Sequence, residues 1–454
     1  MSVAVIDRSR LSRLLDQELM RFRAGNPRSA ELHERATRSL VGGVPMPWMM
    51  LWAGGFPVTA ARAEGSRIVD VDGHEYVDLC LGDTGAMTGH GFERLLSMLG
   101  ERAGKGITTM LPSEDAAWVG EELTRRFLLE RWMFTLSATD ANRAALRICR
   151  LLTGRPKVLV YSYCYHGSVD ESFAVGAPGD KTVTRAGNVG PPVDPAVTTV
   201  AIEFNDLEAL ERALASGEIA CVLAEPAMTN MGIILPEAGY HDALRELTRR
   251  HGTLLIIDET HTVSAGPGGC SAAWGLEPDL LTIGKAIGGG VPCGALGMST
   301  AVHDPMLAHA TADYEDTGGI GGTLAGNALS LAAMRATLSS TLDAAAFAHT
   351  VPLATRFAAG VQETIASNSL PWSVTQLGCR AEYRFERHPA INGSEAHEQS
   401  DAELERYLHL HALNRGVLLT PFHNMALMAP STTAADVDRH SELFAEAVGE
   451  LLAT

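Results

Sequence analysis

The chain has 454 residues, 46% of them hydrophobic and 20% charged, enough for two or three packed units with a large core. Its net charge of −18 repels a polyanionic phosphate backbone and argues against nucleic acid as a partner. No apolar run reaches about 18 residues, so no membrane-spanning helix is expected.

The N-terminus carries Asp7, Arg8, Arg10, Arg13 and Asp16 and no apolar signal core. Leu11, Leu14, Leu15 and Leu19 fall on one face of a helix. The segment Gly42 to Met50 holds two glycines and two prolines, which oppose regular structure, yet it is apolar and aromatic. Such a segment is expected to bury itself against something. Ser66 to Leu81 alternates around Asp72-Gly73 and reads as a hairpin. It runs on into Gly82-Asp83-Thr84-Gly85, where Asp83 reads as a loop residue capping the next helix.

Ser137-Ala138-Thr139-Asp140-Ala141-Asn142 opens a helix whose Ala144, Ala145, Leu146, Ile148 and Leu151 are apolar. Small hydroxyl residues at a helix N-terminus cap it, and the free N–H groups there also form an anion site. Ala138 requires that the backbone at that point avoid positive φ. Lys157 to Tyr161 is a buried-strand run that ends at Tyr163-Cys164-Tyr165-His166-Gly167. Ala220 to Ala224 is the next strand, followed by Glu225-Pro226.

Leu254 to Ile257 is another short apolar run, and it ends in Asp258 and Glu259. After a Gly/Pro-rich turn, Leu280 to Ile283 ends in Gly284-Lys285. In an open α/β sheet, ligands bind outside the carboxyl ends of the strands, so Asp258 and Lys285 can reach one ligand. Taken singly, Lys285 is a solvated lysine after a strand and Asp258 a turn residue. Together they are what a Schiff-base lysine and a pyridinium partner require. A P-loop is excluded because Asp279 stands where its first glycine belongs and Ala286 follows the lysine. Gly288, Gly290 and Gly294 have the wrong spacing for a dinucleotide fingerprint.

Gly318 to Asn327 is glycine-rich and precedes an alanine-rich helix. Arg380 to Phe385 and Gly416 to Leu419 read as short strands. Arg380-Ala381-Glu382 and Pro421-Phe422-His423-Asn424-Met425 are polar-bearing turns. The seven cysteines are odd in number, scattered and set mostly in apolar runs, so they read as reduced core residues of a cytoplasmic protein. No pair of them has metal-ligand spacing, and no metal is expected.

These stretches resemble the class III aminotransferases, pyridoxal phosphate (PLP) enzymes of fold type I. The resemblance is closest to the branch of glutamate-1-semialdehyde aminomutase and the β-amino-acid aminotransferases. It rests on the apolar strand with Asp258-Glu259, on Lys285 27 residues further on, and on S-A-T-D-A-N, Y-H-G, E-P and G-T-L-A-G-N. It implies an α/β fold with a mostly parallel central sheet covered by helices, plus a smaller α+β domain. The large domain is expected at 66–328, and the small domain at 1–65 and 329–454. It implies that Lys285 holds the cofactor aldehyde, that Asp258 pairs with the pyridine nitrogen and that Tyr165 stacks on the ring. By the same resemblance Ser137, Ala138 and Thr139 seat the phosphate, and Glu225 supports the site. Thr323 binds the phosphate of a neighbouring subunit, which implies a homodimer.

For the substrate, the resemblance points to Trp48, Met49 and Asp83. Relatives often carry a carboxylate-gripping arginine near Met49, but no arginine lies between Leu40 and Ala61 here. Arg380 is the expected substitute, with a salt bridge to Glu382 as its alternative role. The leading expectation is an aminotransferase that moves an amino group from an amine donor, apolar, aromatic or β-amino in type, to a keto-acid acceptor. The alternative is an aminomutase of the glutamate-1-semialdehyde type. A catalytically silent PLP-fold binding protein is the third reading.

Overall fold

The computed structural model describes residues 6–309 and 319–453. They form two compact units, one comprising the chain up to Phe92, Ala345–Pro389 and the residues from Gln399 on, the other Glu93–Ala344 with Ala390–Glu398.

The second unit is built on a seven-stranded sheet. Across it lie Arg131–Thr135, Gly294–Met298, Leu280–Ile283, Leu254–Asp258, Ile219–Ala224, Lys157–Tyr161 and Thr199–Ile202. Gly294–Met298 runs antiparallel to both its neighbours, and the remaining pairings are parallel. Ile219–Ala224 and Leu280–Ile283 are buried along their whole length, which is why they read as continuous apolar runs rather than alternating ones. The Ala138–Thr153 helix packs on this sheet and stops at Gly154, whose left-handed φ of 66° closes the last turn. The architecture is the α/β fold with a mostly parallel, helix-covered sheet that the sequence predicts.

The first unit holds two small sheets. One runs Ala60–Glu64, Arg67–Asp70, Glu75–Asp78, Val417–Leu418, and the other Ser373–Leu377, Arg380–Arg384, Met425–Leu427. The hairpin around Asp72-Gly73 is present, with Arg67 opposite Val77. The unit boundaries fall at 92/93 and 344/345 rather than at 65/66 and 328/329. The reason is that Glu75–Asp78 pairs in parallel with Val417–Leu418, which ties the hairpin to the C-terminal part of the chain. The Arg8–Gly25 helix is capped by Asp7, whose side chain accepts from the backbone of Ser9 and Arg10.

Gly42 to Met50 departs from expectation. It forms two 3-10 turns, Val41–Gly43 and Pro47–Leu51, the second started by a proline whose fixed φ suits a helical first position. Met50 and Leu51 are exposed, and Trp48 and Met49 are half-buried. All seven cysteines are buried, and none of them forms a disulfide among the described residues. No helix among the described residues is long and apolar enough to cross a membrane.

Candidate active site

Asp258 closes the all-apolar Leu254–Asp258 strand, so its carboxylate is carried into the interior at the strand's carboxyl end. It is almost fully buried. Its Oδ2 accepts from Asn142 Nδ2 at 2.9 Å and bonds His166 Nδ1 at 2.9 Å, while its Oδ1 accepts from the Thr260 N–H at 3.0 Å. Asn142 is itself fixed, because its Oδ1 accepts from Thr282 Oγ1 at 2.7 Å. Burial pushes the Asp258 carboxyl upward. The His166 hydrogen bond and charge, with the bonds from Thr260 and Asn142, outweigh it and bring the pKa to about 2. Burial likewise opposes a charge on His166, yet Cys164 and the Asp258 carboxylate hold its proton well above the usual imidazole range. The pair is a buried carboxylate–imidazole couple.

Lys285 follows the Leu280–Ile283 strand and is half-buried. Its φ of 46° is left-handed, an uncommon conformation for a residue with a side chain. Its Nζ lies 2.8 Å from Nε2 of His261. Glu259, next to Asp258, is fully buried and plays a structural part, accepting from Thr262 Oγ1 at 2.6 Å and from the N–H groups of Cys270 and Ser271 at 3.2 and 2.5 Å.

Ser137 caps the Ala138–Thr153 helix, its Oγ accepting from the Asp140 N–H at 3.3 Å and donating to Asp140 Oδ2 at 2.9 Å. The first-turn N–H groups have no partner within a helix, so this end can receive an anion. Glycines let other backbone close in on it. A Cβ at Gly284 would sit 2.9 Å from the Ala138 nitrogen, one at Gly294 would collide with the Ser137 carbonyl, and one at Gly167, with φ at 77°, would collide with Thr139 Oγ1. Ala138 has no positive φ, as its side chain requires. Tyr165 is partly exposed and stands edge-on to Phe173 at 6.3 Å. Glu225 is buried and accepts from Thr229 Oγ1 at 2.5 Å. Burial, reinforced by the charge of Asp258 and opposed by His166 and Thr229, raises the Glu225 carboxyl to about 7. Thr323 is exposed, and Gly318 lies outside the described residues.

The substrate candidates belong to the first unit. Arg380 opens the Arg380–Arg384 strand, is 1% exposed, and donates from Nη2 to Thr84 Oγ1 at 2.6 Å. Thr84 ends a run of four left-handed residues, with φ of 46° at Leu81, 57° at Gly82, 49° at Asp83 and 81° at Thr84. Strain of this kind persists only where the surroundings over-determine it. Glu382 bonds His423 Nδ1 at 3.3 Å. Burial works against a charge on His423, but Glu382 and then Asp83 raise its pKa, while Arg380 lowers it. Trp48 meets Phe422 edge to face, with ring centroids 5.3 Å apart. Arg380, Thr84, Asp83, Glu382 and His423 thus form one polar group, and Trp48 joins the turn that carries His423.

Asn142, His166, His261 and His423 carry these contacts without having been singled out in the sequence. All but His261 lie inside stretches whose other residues carry the sequence signal. Among the described residues, Glu18, His411 and Glu450 have ligand atoms within 4.8 Å of one another. Glu18 already accepts from Asn414 and Arg415, and Glu450 from Tyr407.

The model of the family described as aminotransferase class-III matches residues 50–448. A glutamate-1-semialdehyde 2,1-aminomutase from Anaeromyxobacter sp. (strain Fw109-5) is 33% identical over 417 residues, 90% of this chain and 95% of that protein. The crystal structure of a glutamate-1-semialdehyde-aminomutase from Pseudomonas aeruginosa PAO1, in complex with PMP, shares 49% identity. It covers 98% of this chain and 100% of its own, with a TM-score of 0.96. A β-phenylalanine aminotransferase from Variovorax paradoxus shares 27% identity with a TM-score of 0.86, over 97% of each chain.

Proposed function

This chain belongs to the class-III aminotransferase family and uses pyridoxal 5'-phosphate, and from that premise we propose an aminomutase. It moves an amino group between neighbouring carbons of one substrate, in the manner of a glutamate-1-semialdehyde 2,1-aminomutase. The carrying observation is the 49% identity and TM-score of 0.96 to an aminomutase structure over essentially the whole chain. The comparisons favour this over the intermolecular transfer that the sequence motifs led us to expect.

The residues fit the cofactor. A buried carboxylate held anionic suits a protonated ring nitrogen, and the glycine-walled helix end at 137–139 suits a phosphate. Bound PLP supplies an electron sink for the carbon that carries the substrate nitrogen. Asp258 keeps the ring nitrogen protonated. Ser137, Ala138 and Thr139 would hold the phosphate, Tyr165 would cover the ring face, and Glu225 would buttress the site. Lys285 would be the residue that holds the cofactor's aldehyde, and its amine is the group that would move a proton at the amine-bearing carbon of the substrate. Arg380 is our candidate for the substrate carboxylate, with Asp83, Trp48 and Met49 as further substrate residues.

We place the enzyme in the cytoplasm as a homodimer, with Thr323 of one subunit serving the phosphate of the other. Its seven buried cysteines, none in a disulfide among the described residues, fit a reducing compartment. Met110 and Leu111, adjacent and both exposed, suit a surface covered by a second copy.

Transfer of an amino group from an apolar or aromatic amine to a keto acid is the second reading. It is favoured by the absence of arginine between Leu40 and Ala61 and by the aromatic pair Trp48–Phe422. The test is to incubate the enzyme with glutamate-1-semialdehyde and no keto acid. An aminomutase converts it to the isomer with the amine on the adjacent carbon. Turnover that appears only with an added keto acid establishes the transferase instead.

A further inference from the structure

His261 and Lys285 lie in the segments that follow two neighbouring strands, at equivalent places. Leu254–Asp258 and Leu280–Ile283 run parallel with Asp258 opposite Thr282. Each of the two residues lies three positions beyond that pair. Their side chains meet, with Lys285 Nζ 2.8 Å from His261 Nε2. Lys285 makes this contact from a left-handed backbone, φ 46°, while His261 has an ordinary one, φ −101° and ψ −36°. A lysine held in an unfavourable φ with its nitrogen on an imidazole is over-determined by its surroundings.

The chemistry gives the contact a use. A lysine amine sits on a flexible four-carbon stem and loses much rotamer freedom when it must point one way. An imidazole has a shorter reach and only two side-chain torsions. Its Nε2, accepting from the lysine or donating to its lone pair, fixes the direction of the amine in either protonation state. The nitrogen so held is the one that carries the reaction.

We propose that His261 is a positioning residue for Lys285, orienting the amine for attack on the cofactor aldehyde. The inference rests on the assignment of Lys285 as the residue that takes that aldehyde, and not on the choice between aminomutase and transferase.

The test measures how fast cofactor-free protein, mixed with PLP, forms a borohydride-reducible link at Lys285. His261→Leu removes the hydrogen bond and should slow the link roughly tenfold or more. His261→Gln places an amide near the position of Nε2 and should stay within about threefold of the natural chain. His261→Ala serves as the second variant should leucine perturb folding. The same change is then made on a Lys285→Ala background, where PLP binding is followed by fluorescence. There His261→Leu should leave the affinity unchanged, because the amine that His261 orients is gone. A leucine variant that links at the natural rate overturns the proposal. So does an equal loss of PLP affinity in the Lys285→Ala background, which would mean that His261 touches the cofactor directly. A natural chain that forms no reducible link at Lys285 overturns the site assignment, and the proposal with it.

Discussion

His166 bonds through Nδ1 to Oδ2 of Asp258 at 2.9 Å, and both side chains are shut off from solvent. An imidazole and a carboxylate meet in the interior, 92 residues apart in sequence. The pair sets the charge of the residue assigned to the cofactor ring.

The pH dependence of stability follows from that pair. Asp258 has its pKa lowered to about 2, so its contribution is full above the unfolded value near 3.8 and vanishes as pH falls through the folded one. His166 is raised, so its contribution is full below about 6.5 and fades as pH rises through its folded pKa. The two windows overlap between about pH 4 and pH 6.5. We expect His166→Asn to lower the thermal midpoint of the PLP-free protein most in that window and least at strongly alkaline pH. The loss should be on the order of 3–5 kcal/mol, since a buried carboxylate is left without its partner. Thermal melts of both proteins across pH check this, and a pH-independent difference would contradict it.

Lys285→Ala should abolish turnover and the borohydride-reducible cofactor link while circular dichroism and the thermal midpoint stay close to natural. Alanine at a left-handed φ of 46° is no worse placed than lysine. Normal activity in this variant would remove Lys285 from the chemistry.

The assignment of Thr323 across a homodimer can be read by complementation. Thr323→Ala should weaken PLP binding, and Lys285→Ala should be inactive. Refolded together, the two chains should regain activity, because a hybrid dimer has one site with its own Lys285 and the partner's threonine. A mixture no more active than its components, or a fully active monomer in sedimentation, would argue against a shared site.

Arg380→Ala should discriminate between acceptors in the transfer half-reaction. If Arg380 grips a carboxylate, its loss should cost about 2–5 kcal/mol with a keto acid and much less with an uncharged aldehyde. Arg380→Lys should recover little, since an ammonium lacks the guanidinium's fork. Equal losses with both acceptors would assign Arg380 to structure, through its bond to Thr84.

The sequence by itself determined what depends on neighbours along the chain. Apolar runs that end in Asp258 or in Gly284-Lys285 identify buried strands and the groups at their carboxyl ends, because a fully buried strand has no polar alternation to hide it. The Ser137 cap was legible for the same reason, since capping is chemistry within one turn. Contacts made across the sheet were not legible. Asn142 reaches Asp258 over 116 residues and Arg380 reaches Thr84 over 296, and no local period records such pairings. His261 escaped notice because its partner is set by the register of two parallel strands, Asp258 opposite Thr282, and register is fixed by packing rather than by spacing. The domain boundaries shifted on the same ground, since the Glu75–Asp78 strand takes Val417–Leu418 as its neighbour and only the folded chain can join residues that far apart.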